Sequence, residues 1–224
     1  MSSLTTVHLT LPYALDITAI TVGALSGALH ATRKQMGFLG ILAVAFCTGL
    51  GGGAIRDVIL EDGTPAFLTR SPVLAYAVLG AFIGYFFARF ASKFENVYVG
   101  LDALLIGVWV LIGSSKALQL NLGAAAAVYV GLVASTGGGL LRDLLCKDPP
   151  AILRPGQWYA IAAFGAACTF VWLDALHVPV IFAQLATIAV ASVLRLTSLY
   201  WHFPSPTPYD VSDRVARIFR PVRR

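Results

Sequence analysis

The chain has 224 residues, of which 58% are hydrophobic and only 12% are charged, and its formal net charge is +5. Soluble globular chains are about 45–50% apolar and about 25% charged. So few charges cannot cover the surface of a water-soluble domain of this size, and the composition therefore predicts an integral membrane protein. A β-barrel is excluded because the apolar segments are continuous runs that do not alternate with a period of two.

Seven apolar runs are long enough to cross a bilayer as helices, which takes about 18–20 residues. They are predicted at 14–33, 38–60, 72–90, 97–118, 123–146, 156–175 and 178–200. Residues 1–13 contain no Lys or Arg, so they lack the basic start of a cleaved signal peptide, and we expect a short extracytoplasmic N-terminus. Residues 201–224 form a basic tail that we expect to lie on anionic lipid at the cytoplasmic side.

The most informative stretch occurs twice, in the second and the fifth predicted helix. The pattern Gly-Gly-Gly-x-x-Arg-Asp begins at Gly51 and again at Gly137, and the same shift of 86 residues places Asp16 on Asp102. Three helices per copy is an odd number, so the second copy enters the membrane the other way up. The predicted fold is an all-α integral membrane protein of seven transmembrane helices. It divides into a first three-helix repeat at 14–96, a second, inverted repeat at 97–177, and a seventh helix at 178–200.

Three consecutive glycines weaken a helix, because each costs roughly 1 kcal/mol relative to alanine. We therefore expect helices two and five to be kinked at their glycine triplets. Backbone groups freed at such a break are tolerated within a membrane only if they are buried in protein or line a wet cavity. Freed carbonyl oxygens also suit a partly dehydrated cation. The repeated stretch therefore predicts a transport site.

The positions of Lys and Arg indicate the orientation, because cytoplasmic loops carry an excess of both. With the N-terminus outside and the C-terminus in the cytoplasm, twelve of the sixteen basic residues fall on the cytoplasmic side. These twelve are Arg33, Lys34, Arg89, Lys93, Lys147, Arg154, Arg195, Arg214, Arg217, Arg220, Arg223 and Arg224. Lys116 ends helix four near the outer face, and we expect its ammonium group to reach the lipid headgroups.

Each motif arginine has two candidate charge partners. We expect each arginine to be neutralised by the aspartate at the same depth and by the aspartate that follows it in the chain. The pairs are Arg56 with Asp16 and Asp57, and Arg142 with Asp102 and Asp143. An arginine at a constriction can gate a pore or limit which ions enter. The alternative is that the Arg–Asp pairs clamp helices together, and the two roles can coexist.

Three hydroxyl residues, Thr48, Ser135 and Thr136, precede the glycines and are candidates for the lining of a pore. Serine and threonine are also common at contacts between membrane helices, so that alternative stays open. No Ser-His-Asp order, HExxH motif, Cys/His cluster or phosphate loop occurs, and we therefore expect no enzyme and no cofactor. We also expect no metal ion other than transient monovalent cations.

The seven spans, the three-plus-three repeat and the doubled GGGxxRD pattern resemble the prokaryotic trimeric intracellular cation (TRIC) channels. The glycine-transporter-like (UPF0126) membrane domain belongs to the same bacterial family. The resemblance covers about residues 14–200 and implies a homotrimer in the cell membrane. It implies that each subunit has its own hourglass pore, which is lined by helices two and five and passes potassium with some sodium. The pore-lining residues that the motif implies are Gly51, Gly52, Gly53, Arg56, Gly137, Gly138, Gly139 and Arg142.

Two other functions remain open from the sequence. The first is a secondary transporter of a small zwitterion such as glycine, in which half-helix ends bind the carboxylate or the amine. The second is a membrane scaffold whose Arg–Asp pairs only hold the fold together. Membrane lipids are expected partners in every case, and nucleic acid is not, because the basic tail is too short.

Overall fold

The computed structural model describes residues 4–61, 63–69, 71–91, 95–154 and 158–201, and this part of the chain is helical with short connections. The helices are α1 (Leu4–Arg33), α2 (Phe38–Ile59), α3 (Ala66–Thr69), α4 (Ser71–Ala91), α5 (Glu95–Gln119), α6 (Ala124–Leu145), α7 (Tyr159–Ala175) and α8 (Val180–Trp201). A 3₁₀ turn, Ala151–Leu153, lies between α6 and α7.

Five of these helices are long and apolar enough to cross a membrane. They are α2, α6, α8 and the stretches Ala14–Arg33 of α1 and Val99–Gln119 of α5. Helices α4 and α7 carry shorter apolar stretches, Pro72–Phe87 and Tyr159–Ala175. The all-helical membrane architecture expected from the sequence is therefore present in the described residues.

The first helix is longer than the sequence predicts. It begins at Leu4, whereas the predicted span begins at residue 14. At ~1.5 Å per residue its 30 residues span about 45 Å, which exceeds the ~30 Å hydrocarbon thickness of a bilayer. A helix satisfies its own backbone and can therefore continue beyond its apolar part. The short helix α3 also lies where only a loop is expected. The basic tail beyond Trp201 lies outside the described residues.

Several backbone features recur at the spacing of 86 residues that the sequence shows. Both α2 and α6 have 22 residues, and their bounds differ by this shift. Their N-cap glycines, Gly37 and Gly123, have almost the same extended conformation, with φ and ψ of −65° and 164° against −63° and 165°. The residues with positive φ before these caps, Gln35 (55°) and Asn121 (56°), also correspond.

The glycine triplets do not break their helices, so the expected release of backbone groups at a break is wrong, whereas a kink within a continuous helix stays a prediction. Helices α2 and α6 continue through their triplets without interruption. A Cβ atom on Gly52 would collide with the carbonyl oxygen of Ala134, and one on Gly138 with the carbonyl oxygen of Thr48. The glycines thus allow the two backbones to touch, as small residues do between membrane helices. These contacts pair a later residue of one helix with an earlier residue of the other, so α2 and α6 cross antiparallel.

Side-chain size follows the same logic across the rest of the bundle. Small residues such as Ala24, Ala28 and Ala81 are fully buried, whereas large apolar residues such as Phe86 and Phe182 are mostly exposed. Exposure of large apolar side chains around a core of small ones suits a bundle whose outer surface faces lipid or another subunit. Buried alanines and glycines let the helices approach closely around the α2–α6 crossing.

The crossing gives a test of stability. We expect Gly138→Ala to lower the stability of the protein by about 1–3 kcal/mol, because the added methyl group must push two backbones apart. Thermal unfolding in detergent, followed by intrinsic fluorescence, measures the change. Gly100→Ala in α5 is the matched control, since a Cβ atom there has nothing within 4 Å. Equal unfolding temperatures for the two variants would contradict the close crossing.

Candidate functional site

Arg56, in the last turn of α2, is 3% exposed and lies among carboxylates from two helices. Its Nε donates a hydrogen bond to Oδ1 of Asp57 at 2.8 Å, and its Nη1 donates to Oδ1 of Asp16 in α1 at 3.2 Å. Nζ of Lys116 in α5 donates to the same Asp57 oxygen at 2.8 Å. These four residues form the Arg56 cluster, which balances two cationic groups with two carboxylates and joins three helices.

Arg142 occupies the corresponding place at the end of α6. Its Nε donates to Oδ1 of Asp143 at 2.9 Å, and its Nη1 lies 3.5 Å from Oδ1 of Asp102 in α5. The second oxygen of Asp143 accepts a hydrogen bond from the backbone N–H of Ala151 at 2.8 Å. The structure thus brings each motif arginine to the two aspartates that the spacing singles out.

Arg195 of α8 joins this second group. It is 6% exposed, its Nη2 lies 3.9 Å from Oδ2 of Asp102, and its guanidinium group lies 4.9 Å from the centroid of the Tyr159 ring. Arg142, Asp143, Asp102 and Arg195 form the Arg142 cluster. Within the described chain, Nε and Nη1 of Arg195 are buried without a hydrogen-bond partner. Its charge is therefore compensated less completely than that of Arg142.

Sequence analysis misses the roles of Lys116 and Arg195. Lys116 is expected at the headgroups but pairs with Asp57, and Arg195 is counted as a cytoplasmic surface charge but is buried. A signal for Arg195 was present, because a lone charge within an apolar run marks a functional site by default. For Lys116 the signal is weaker, since a lysine at the end of a helix usually reaches the membrane surface.

Two cavities lie beside the α2–α6 crossing, one at each cluster. The empty space of the Arg56 cavity, counted together with the open solvent at its mouth, is about 330 Å³, and that of the Arg142 cavity, counted in the same way, is about 350 Å³. Asp16, Arg56 and Asp57 line the first, whereas Asp102 and Arg142 line the second. Because Arg56 and Arg142 both follow the crossing on antiparallel helices, the two cavities lie on opposite sides of it.

The glycines of each triplet do not share one environment. Gly53 lines the Arg56 cavity, and Gly138 and Gly139 line the Arg142 cavity. Gly51, Gly52 and Gly137 lie in the contact between α2 and α6. A Cβ atom on Gly51 would lie 2.5 Å from Cδ1 of Leu141, and one on Gly137 would lie 2.8 Å from Cδ1 of Ile55. The early glycines of each triplet therefore hold the crossing, and the third lines a cavity beside an aromatic ring, Trp109 at Gly53 and Tyr159 at Gly139.

The hydroxyl residues before the glycines are buried and bonded within their own helices. Oγ1 of Thr48 donates to the carbonyl oxygen of Val44 at 2.6 Å, and the hydroxyl groups of Ser135 and Thr136 donate to that of Leu132 at 2.9 Å each. Thr48 and Ser135 also line the Arg142 cavity. Since their protons are used within the helix, their oxygens are left as acceptors, which suits a cation.

A third ionic group ties the loop after α6 to the end of α1. Nε2 of His30 lies 2.8 Å from Oδ2 of Asp148, and Nζ of Lys34 donates to Oδ1 of the same carboxylate at 2.6 Å. The hydrogen bond from Lys34, followed by that from His30, holds the pKa of Asp148 below its ordinary value. We call these three residues the Asp148 latch.

Comparison with known proteins gives consistent results. A family model described as glycine transporter matches residues 13–89 and again residues 99–175. A UPF0126 membrane protein of Deinococcus radiodurans is 33% identical over 82% of this chain and 86% of its own length. The UPF0126 inner membrane protein YadS of Escherichia coli K12 is 32% identical over 88% of this chain and 96% of its own length. The crystal structure of the TRIC trimeric intracellular cation channel orthologue from Rhodobacter sphaeroides superposes with a TM-score of 0.80 at 34% identity. That match covers 87% of this chain and all of the other.

The Asp148 latch gives a test by pH. Because its pKa is depressed in the folded protein, the carboxylate stabilises the fold above the ordinary value of 3.8. This stabilisation is lost as the pH falls below 3.8 through the lowered pKa. We therefore expect Asp148→Asn to lower the thermal unfolding temperature at neutral pH, and we expect the difference from the unmodified protein to vanish in strong acid.

Asp174→Asn is the control for this test, because Asp174 is exposed in the last turn of α7 and no ion pair joins it to another described residue. Its unfolding temperature should follow that of the unmodified protein at every pH. A difference for Asp148→Asn that stays constant down to strong acid would rule out the ionic latch.

Proposed function

The chain belongs to the family of the UPF0126 membrane proteins and the TRIC channels, and from this membership we propose that it is a cation channel. It is a multi-pass membrane protein, as its apolar helices and its relatives indicate. The observation that carries the proposal is the pair of cavities on opposite sides of the α2–α6 crossing. Each has a buried Arg–Asp cluster beside it.

The proposed route runs within one subunit, from one cavity past the crossing to the other. Carboxylates of Asp16, Asp57 and Asp102 lie along it, and the hydroxyl oxygens of Thr48 and Ser135 add acceptors near its middle. The arginines do not make the route positive, because each is paired with aspartates. Acceptor oxygens and compensated arginines favour a cation over an anion. We propose potassium as the preferred ion and a homotrimer as the assembly.

The proposal includes an inverted repeat of seven membrane spans with the N-terminus outside. Two observations support it. The family model matches twice at a spacing of 86 residues, and α2 and α6, whose bounds correspond at that spacing, cross antiparallel. Helices α4 and α7 would then be the third and sixth spans and α8 the seventh. Conduction would require α2 and α6 to bend at their triplets and part, without loss of the helix.

A second candidate is a transporter of a small zwitterion such as glycine. The specific observation in its favour is the Arg142 cavity, where Arg142 and Asp102 line one space together with Thr48 and Ser135. An arginine can hold the carboxylate of an amino acid, and an aspartate can hold its amine.

Purified full-length protein in planar bilayers and in vesicles separates these functions. Unitary potassium currents under a potassium gradient support the channel. Saturable uptake of labelled glycine without unitary current supports the transporter. Absence of both supports a scaffold and overturns the proposal.

Arg142→Ala tests the part that the arginine plays in the pathway. Removal of this cation leaves Asp102, Asp143 and Arg195, a cluster of net negative charge, beside the cavity. We therefore expect the unitary potassium conductance to rise by about two-fold or more through a higher local cation concentration. Lys147→Ala is the matched control, because Lys147 is exposed just after the same helix. Unchanged currents together with a lower unfolding temperature would assign Arg142 to the fold alone.

A further inference from the structure

The linings of the two cavities correspond at the 86-residue spacing. Four aligned pairs of identical residues take equivalent places, with one member in the Arg56 cavity and the other in the Arg142 cavity. These pairs are Asp16 with Asp102, Ile20 with Ile106, Gly53 with Gly139 and Arg56 with Arg142. The two cavities therefore share these four residues, although only the Arg142 cavity is also lined by the hydroxyl residues Ser26, Thr48 and Ser135.

Other aligned lining positions differ, as Val73 and Tyr159 do, and one of the differences lies near the centre of a membrane span. Trp109 lines the Arg56 cavity, and its counterpart at the same spacing is Gly23, which lines the Arg142 cavity. Trp109 also lines the Arg142 cavity, and among the described residues it alone borders both cavities. A tryptophan thus stands where its counterpart has no side chain.

The surroundings of Trp109 place its ring beside the crossing. The residue is the midpoint of the apolar stretch Val99–Gln119 of α5, so it lies near the centre of a membrane span. It is 5% exposed, and its ring atoms Cζ3 and Cη2 lie 3.4 Å from the position of a Cβ atom on Gly53. The indole therefore packs directly against the third glycine of the first triplet, where α2 faces its cavity.

We propose that the indole of Trp109 is the barrier that separates the two cavities, and that conduction requires it to move away. This proposal rests on the proposed channel function and adds the residue that closes the pathway. A buried indole between the two cavities excludes a hydrated cation, because it offers neither a carboxylate nor a carbonyl to replace the hydration shell. Because its counterpart Gly23 supplies no second ring, this aromatic barrier belongs to α5, and its movement would accompany the parting of α2 and α6.

Trp109→Ala in full-length protein, recorded in planar bilayers in potassium chloride, tests the barrier. We expect the open probability to rise by about ten-fold or more, since the truncation removes packing that only the closed state has. Trp109→Phe keeps a smaller ring and should give an intermediate rise, and this variant decides the matter if the alanine variant fails to fold. Leu111→Ala is the control, because Leu111 is equally buried in α5 but borders neither cavity.

The outcomes separate this inference from the channel function. Currents in the unmodified protein that neither Trp109 variant alters would overturn the barrier and leave the channel intact. An equal rise for Leu111→Ala would also overturn it, since general loosening of α5 would then explain the effect. Silence of all variants, at unfolding temperatures near that of the unmodified protein, would overturn the channel function and the barrier with it.

Discussion

The contact between the backbones of α2 and α6 is the constraint on which the rest of the structure depends. Gly52 meets the carbonyl oxygen of Ala134, and Gly138 meets that of Thr48, so no side chain fits between the helices at either point. Because the helices are antiparallel, Arg56 and Arg142 lie on opposite sides of this contact. The positions of both cavities follow from that geometry.

Buried arginines are tolerated here because each motif arginine forms ion pairs with two aspartates inside the protein. Removal of an ion from water costs several kcal/mol, which its partners must recover through close and well-directed hydrogen bonds. Arg56 recovers it through Asp16 and Asp57, with Lys116 balancing the second charge of the pair. In the Arg142 cluster the second cation is Arg195, which is held at a longer distance and has two donor nitrogens without partners. The two clusters have the same formal net charge, but the ion pairs of the second cation are shorter in the Arg56 cluster than in the Arg142 cluster.

The sequence predicts the helical membrane fold and the neighbours of both motif arginines, because apolar length and a fixed repeat spacing are local properties of the chain. It does not predict that α2 and α6 continue through their glycine triplets, since the effect of a glycine on a helix depends on what packs against it. The partners of Lys116 and Arg195 depend likewise on how separate helices cross. The pore-lining roles of the hydroxyl residues and glycines stay predictions, although several of them border a cavity.

The glycine triplets link the stability of the fold to the proposed pathway. Gly51 and Gly52 bring the helices together, and Gly53, on the next position of the same helix, leaves space that Trp109 partly fills. An added methyl group at the first two positions would act on the fold, and one at the third would act on the ring that borders both cavities. The two copies of the repeat share their glycines but differ at Trp109 and Gly23. They therefore have the same scaffold but different roles in the proposed pathway. A difference between the copies is therefore informative where both residues of an aligned pair line the same cavity, as Trp109 and Gly23 line the Arg142 cavity. That cavity is part of the proposed pathway.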